Sequence, residues 1–492
     1  MREGVCPLAR RFLSLARQEK FEPALRLAGR RTVTRGEVAH AALEVAAAVR
    51  PLLVPGRPVA LSLPNSPELV AAFVGLRAAG AAVALVDATA PAGEVARCAR
   101  AVGACLVVTQ PGRTAEPVAA EIGGAVVARC ACDPVAIPAG TAVLKLTSGS
   151  TGAPRAVAAS ARQLAADTVQ IMRTMEVRAA DVTLAAIPLT HSYGIGSCLV
   201  PLLLAGTPLV LPASPLPAAL ADAIAAERVA HFPAVPAMVR SLAGLGALPA
   251  PALRVCLSAG APLRPEDAAA FHAATGVKVH VFYGASECGG ITYDRGAAPV
   301  HAAGAVGSAL ERVTVEVVDA AGRPLPSGRQ GSVRVRSRAV ARGIVPAGDD
   351  GGTLGAGVFL TSDRGVLDER GCLTLTGRAA EQLNVAGKKV HPDEVRCVLE
   401  AVAGVRAAHV AGLPDAGRGT LVAAVVAVDR DAGLTASALL AACRARLAPH
   451  KVPRRIVLVE ELPLNARGKL DRDAALSLLV QARAAARPTP AT

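Results

Sequence analysis

Over the first 140 residues, two kinds of apolar stretch alternate along the chain. VTRGEVAHAALEVAAAVR predicts a helix from about residue 34, and PVALSLPNS predicts a strand and a turn. SPELVAAFVGLRAAGAAVALVD reads as a helix and then a strand running into Asp87, and EVARCARAVGACLVVT repeats the pattern. Successive helix–strand pairs predict a largely parallel sheet flanked by helices. The alternation resumes further on. ALADAIAAERVAHFPAVPAMVRSL reads as helix, short strand, helix, and LRVCLSAGAPL as a buried strand ending in a glycine-bearing turn. EDAAAFHAATGVKVHVFYGASE reads as helix, strand and loop. The polar loops SAGAPL and YGASE thus fall beyond the carboxyl ends of strands, where open α/β sheets bind ligands.

From about residue 312 the texture changes. Short strands between Gly/Pro turns, in VTVEVVDAAGRPLPSGRQGSVRVRS and GVFLTSDRGVLDERGCLTLTGR, predict a small β subdomain over about 305–380. After Arg378 the pattern predicts a small α+β domain, 381–492, following the larger domain of 1–380. A helix is expected from about Pro392, then two strands, the second being LVAAVVAV, then a helix over SALLAACRARL. The fold class is therefore α/β, with helix-flanked sheets in a large first domain. The final AAARPTPAT reads as a frayed end, and there is no internal repeat.

Composition narrows the function. At 492 residues the chain suggests about two to four domains or subdomains. Hydrophobic residues are 52% of it, enough for a sizeable core, yet there are seven Phe, three Tyr and no Trp. The core must be Ala, Val and Leu, and a base-stacking surface for single-stranded nucleic acid is poorly supported. The net charge of +14 comes mainly from arginines scattered in short pairs. With no basic stripe or tail, it suits a polyanionic small substrate better than nucleic acid. The eleven cysteines are widely spaced, Cys130 and Cys132 being the near pair, which fits buried thiols in a reduced cytoplasm and argues against zinc. The arginine-interrupted N-terminus reads as a short helix rather than a secretory leader. The apolar run 195–212 contains Pro201, Gly206 and Pro208, and reads as buried helix, turn and strand rather than a membrane span.

The densest chemistry lies in LKLTSGSTGAPR. Glycines that free the backbone, clustered hydroxyls and a following arginine could converge on an anion, although G-x-x-x-x-G-K-[ST] is absent. A serine-rich surface turn is the plainer alternative. Four more features accompany it: YGASE at 283–287, TSD at 361–363, GR at 377–378 and NARGK at 465–469. Taken in order and spacing, the five resemble the adenylate-forming (AMP-binding) superfamily, closest in form to the acyl-CoA and aryl-CoA synthetases, over about residues 30–480.

The resemblance implies ATP-dependent activation of a carboxylic acid to acyl-AMP with release of pyrophosphate. Thioester formation with coenzyme A and release of AMP follow. It further implies Mg²⁺ and a lysine to neutralise the transferring phosphoryl group. Residue by residue, it makes Thr147, Ser148, Gly149, Ser150, Thr151 and Gly152 the loop on the β- and γ-phosphates. Arg155 stands where the family has lysine, a fork in place of a point charge. Gly260 and Ala261 belong to the backbone along adenine, Tyr283 to the ring stacked on it, and Glu287 to the Mg²⁺ ligand. Ser286, where threonine is commoner, would face the α-phosphate. Asp363 would accept from the ribose hydroxyls, in a Thr361-Ser362-Asp363 that replaces T-G-D, and Arg378 would close on the ribose and phosphate side. Glu381 falls at the hinge, Gly387 in the loop lining the pantetheine tunnel, and Lys469 at the catalytic lysine that touches carboxylate and α-phosphate.

PLTHSYGIG, 188–196, has the form of acyl- and aryl-CoA ligases, with His191 resembling the histidine at the mouth of the acid pocket. The F-D-x-S of amino-acid-activating relatives is absent, so an α-amino acid is less expected. Alanine-rich stretches at 234–237 and 302–309 would suit a long or bulky acid. No carrier domain follows the small domain, so the acceptor is expected from outside: coenzyme A, or a separate acyl carrier protein as the alternative. An inactive member serving as a binding module is the other alternative, fed by the departures at Arg155, Ser362 and Glu381. The oligomeric state stays open.

Overall fold

The structure, a computed structural model, describes residues 6–148, 154–302, 304–347, 354–378, 383–415, 419–429, 431–463 and 471–484. The chain divides into two compact units. One comprises residues 1–88, 95–147 and 155–380, the other 89–94, 148–154 and 381–492.

Helix starts follow local chemistry. Thr34 and Glu37 form a capping box ahead of Arg35–Val49, and Ser160 and Gln163 form one ahead of Ala161–Thr174. Proline occupies the first turn of Pro7–Gln18, Pro67–Ala78, Pro236–Ala243, Pro265–Thr275 and Pro392–Glu400, where its missing N–H has no intrahelical partner to lose.

The larger unit holds a fourteen-stranded and an eight-stranded sheet. In the first, Val279–Ala285, Val255–Ser258, His231–Ala234, Thr183–Leu184, Leu209–Leu211 and Pro23–Leu27 lie side by side and parallel. The helix–strand alternation predicts that part. Beyond Val279–Ala285 the sheet turns antiparallel, through Gly289–Tyr293, Ala305–Ala309, Cys372–Arg378, Val358–Leu367, Gly331–Arg336 and Thr314–Val318. The short-strand region after residue 305 thus continues the parallel sheet by hydrogen bonding. In the eight-stranded sheet, Thr141–Ser148, Val83–Leu85, Val59–Ser62 and Leu106–Thr109 are parallel. An antiparallel hairpin of Val118–Ile122 and Ala125–Arg129 completes the edge, so the expected largely parallel sheet carries antiparallel additions.

The cores are aliphatic. Phe12, Phe73, Phe232 and Phe271 are the aromatics among the largest fully buried side chains, the rest of that group being leucines. In the smaller unit, Val405–Asp415, Gly419–Val428 and Arg455–Val459 form a three-stranded sheet. Val422, Ala424 and Val426 enter one apolar cluster with Val395, Leu399 and Leu439, while Ala423 and Val425 enter another with Ala475 and Leu479. Both faces of that strand are covered, which is why its sequence is apolar without alternation. All eleven cysteines are free thiols, most of them buried. Among the described residues no helix is long and apolar enough to cross a membrane, and no group of metal-ligating side chains is present.

Candidate active site

The last parallel strand of the large sheet, Val279–Ala285, reverses through Ser286, Glu287 and Cys288 into Gly289–Tyr293. Gly289 sits at φ +73°, and a Cβ there would lie 2.2 Å from Asp167 Oδ1, so this turn requires glycine twice over. Tyr283, near the strand's end, donates its phenolic O–H to Asp363 Oδ2 at 2.7 Å. Burial first, and then the Asp363 charge, hold that phenol well above its ordinary range, so it remains a donor. Asp363 lies on Val358–Leu367, in register with Arg378, and its amide donates to Thr361 Oγ1 at 3.0 Å.

Side chains distant in sequence fix the turn itself. Ser192 Oγ–H donates to Ser286 Oγ at 2.9 Å, and Lys145 Nζ to the Ser286 carbonyl at 3.1 Å. The Ala341 amide donates to the Glu287 carbonyl at 2.7 Å, and the Gly290 amide to Asp167 Oδ1 at 2.8 Å. Glu287 Oε2 is buried and has no hydrogen-bond partner among the described residues. An anionic oxygen left in that state needs a cation or a donor to offset its desolvation. Burial draws the Lys145 ammonium below its ordinary range, opposed by Asp167, Cys288 and Glu287. Burial likewise pushes the Asp167 carboxyl up, opposed by Lys145 and the Gly290 amide.

His191 precedes the helical turn Ser192–Gly194, which runs through a π-helical turn, Ile195–Leu199, into Val200–Ala205. A Cβ at Gly194 would meet the Pro188 carbonyl at 2.1 Å, so P-L-T-H-S-Y-G folds only with glycine last. His191 Nε2 lies 3.2 Å from Asp87 Oδ2. Asn65 clasps the approach to this helix. Its Nδ2 donates to the carbonyls of Ala185 at 3.0 Å and Ile187 at 2.8 Å, and its Oδ1 accepts from the Leu189 amide at 2.8 Å. The ring of Tyr193 packs on that of Phe282, centroids 5.7 Å apart and tilted by 47°. The buried hydroxyls of Ser197 and Ser258 have no hydrogen-bond partner among the described residues.

Of the remaining residues singled out in the sequence, Thr147 donates to the Arg155 carbonyl at 3.4 Å, and Arg155 Nη2 is buried without a partner among the described residues. Ser148 ends its strand, and Gly149, Ser150, Thr151 and Gly152 lie outside the described residues. Gly260, at φ +84°, and Ala261 follow the strand Val255–Ser258, the parallel neighbour of the strand bearing Tyr283. Gly387 belongs to the smaller unit, at the turn of the hairpin Leu383–Val385 and Lys388–Val390, and its amide donates to Asn384 Oδ1 at 3.0 Å. Glu381 and Lys469 lie outside the described residues. Hydrogen bonds and register therefore link Tyr283, Ser286, Glu287, Asp363 and the helix that follows His191. Sequence reasoning missed Asn65, Asp87, Lys145, Asp167 and Ser192, whose partners are supplied by the fold.

The family model for AMP-binding enzymes matches residues 14–345, and that for the AMP-binding enzyme C-terminal domain matches 394–469. The chain is 30% identical to a 4-coumarate–CoA ligase-like protein of Oryza sativa subsp. japonica, over 90% of this chain and 87% of that protein. It is 28% identical to a feruloyl-CoA synthase of Amycolatopsis sp, over 85% of this chain and 87% of that protein. Among solved structures, the amide bond synthetase McbA of Marinactinospora thermotolerans is similar with a TM-score of 0.82 at 28% identity, covering 96% of this chain and 99% of that one.

Proposed function

We propose, from the premise that the chain belongs to the AMP-binding enzyme family, that the residues gathered around the 286–288 turn carry out its chemistry on an aryl acid. The chain is an AMP-forming acid–thiol ligase: it activates a carboxylic acid as acyl-AMP and passes the acyl group to coenzyme A. The observation that carries the residue assignment is the Ser192–Ser286 hydrogen bond of 2.9 Å. It ties the segment read as the mouth of the acid pocket to the segment read as the nucleotide site, which is what attack of a carboxylate on an α-phosphorus requires.

On this reading the Tyr283 ring faces adenine and the Asp363 carboxylate, steadied by the Tyr283 phenol, accepts from the ribose hydroxyls. Ser286 Oγ accepts from Ser192, leaving its own hydrogen to donate to an α-phosphate oxygen. Arg155 Nη2 and the 147–152 loop take the outer phosphates. Glu287 Oε2, a buried carboxylate oxygen without a partner, fits a hard divalent cation, and Mg²⁺ bound there would neutralise phosphate charge. Lys469 brings an ammonium to carboxylate and α-phosphate, and Arg378 closes the ribose side. Gly260 and Ala261 leave backbone along the adenine, and Gly387 lets coenzyme A approach the chain in the smaller unit.

The aryl assignment is supported by the segment 188–196, whose form resembles that of acyl- and aryl-CoA ligases. Relatives named for feruloyl-CoA and 4-coumarate point the same way. A second acceptor, an amine, is favoured by the likeness to an amide bond synthetase. The test is acid-dependent pyrophosphate release across aryl, fatty and amino acids, each with coenzyme A, with an amine and with neither. Aryl acids should lead, with AMP release stimulated by coenzyme A. A fatty acid leading the panel would refute the aryl assignment.

A further inference from the structure

We propose that Lys145 and Asp167 together are positioning residues for the turn that carries Glu287, holding its two ends so that the carboxylate between them stays aimed at the cation. This rests on the reading of Glu287 as the Mg²⁺ ligand.

Lys145 lies on the strand Thr141–Ser148 and Asp167 on the helix Ala161–Thr174. Both are buried, each 5% exposed, in a protein whose cores are mainly aliphatic. A charge is rarely kept in such a place without a task. The Lys145 ammonium takes the carbonyl of Ser286, the first residue of the turn, at 3.1 Å. The Asp167 carboxylate takes the amide of Gly290, just past its end, at 2.8 Å. Glu287 falls between these anchors, its own carbonyl tied to the Ala341 amide. The chain makes room for Asp167 with glycine on two sides: a Cβ at Gly196 would lie 2.9 Å from Asp167 Oδ2, and one at Gly289 would lie 2.2 Å from Oδ1. Neither side chain need touch substrate. The pair acts through the turn, as partners behind a metal ligand do.

The test uses the full-length protein with Lys145→Gln, Asp167→Asn and the paired Lys145→Gln/Asp167→Asn, which removes both charges and so leaves neither uncompensated. Three quantities are read: the melting temperature, ATP binding by calorimetry with and without Mg²⁺, and the Mg²⁺ concentration giving half-maximal pyrophosphate release. The paired variant should need about 10- to 100-fold more Mg²⁺. The strengthening of ATP binding by Mg²⁺ should fall by a similar factor, while Mg²⁺-free ATP binding and the rate at saturating Mg²⁺ stay near wild type. A paired variant that melts with the wild type and keeps its Mg²⁺ requirement overturns the inference. So does a loss confined to Mg²⁺-free binding, or failure of all three variants to fold, which would make the pair a requirement of the core rather than of the turn. A wild-type protein whose ATP binding ignores Mg²⁺ would instead refute the Glu287 reading, and is examined first.

Discussion

His231 offers a pH dependence whose size follows from its surroundings. It lies on the strand His231–Ala234, is 2% exposed, and shares its Nδ1 with the Thr183 hydroxyl at 3.2 Å. Its Nε2 is buried with no hydrogen-bond partner among the described residues, so an added proton would find no acceptor. Burial lowers its pKa from 6.5 to about 4; Asp181 resists the shift and Arg254 adds to it. Between those two values the unfolded chain binds the proton and the folded chain does not. Stability therefore rises with pH through the window, is fully present above about pH 7, and is lost as pH falls through the unfolded value until it levels off near the folded one. At pH 5 the group is about 1.5 units below its unfolded pKa, which at 1.36 kcal/mol per unit costs about 2 kcal/mol. The full window is worth about 3 kcal/mol. The assay is urea unfolding followed by far-UV circular dichroism, since the chain has no Trp, at pH 7 and pH 5. His231→Gln keeps a partner for Thr183 and removes the titration. In the transition belonging to the larger unit, the wild type should lose about 2 kcal/mol more than the variant between the two pH values. Equal losses would refute the argument that this imidazole is held neutral by burial.

Three further outcomes are expected. Asn65→Asp keeps the acceptor for Leu189 but sets a carboxylate against the Ala185 and Ile187 carbonyls; it should destabilise the larger unit by about 2–4 kcal/mol in urea titrations and weaken the acid's KM more than that of ATP. Gly289→Ala forces a Cβ against Asp167 at φ +73° and should cut pyrophosphate release by ~10-fold or more, with a lowered melting temperature. Lys469→Ala should cut adenylation by ~10²-fold or more with little change in melting temperature, and near-full pyrophosphate release would remove the role assigned to it.

What could be read along the chain divides from what could not by the range of the interaction. Helix starts were legible because their chemistry is local: Thr34 caps with Glu37 three residues on. The family was legible because each of its motifs is a run of a few neighbouring residues, as Y-G-A-S-E is. The edge hairpin Val118–Ile122 and Ala125–Arg129 was missed, although E-I-G-G-A-V-V held the signal. Gly123 and Gly124 both take positive φ, at +56° and +81°, as a two-residue hairpin turn demands. The antiparallel extension of the parallel sheet was not legible, since short strands between Gly/Pro turns read equally well as a separate subdomain.

The supporting residues were illegible for a different reason. Lys145 meets Ser286 across 141 positions, Asn65 meets Leu189 across 124, Asp167 meets Gly290 across 123 and Asp87 meets His191 across 104. None of these side chains carries a pattern with its neighbours, because each acts on a backbone group or a charge that only the folded sheet delivers. A buried lysine in L-K-L looks like an interruption of an apolar strand until the Ser286 carbonyl is placed above it. The residues proposed to do the chemistry and the residues proposed to aim them therefore leave different traces. The first fall in short motifs, spread along the chain from 147 to 469. The second are drawn from whichever element lies behind a motif. A substitution at Lys145 or Asp167 should accordingly alter how the Glu287 turn is held, and with it the Mg²⁺ requirement, while leaving Glu287 itself in place.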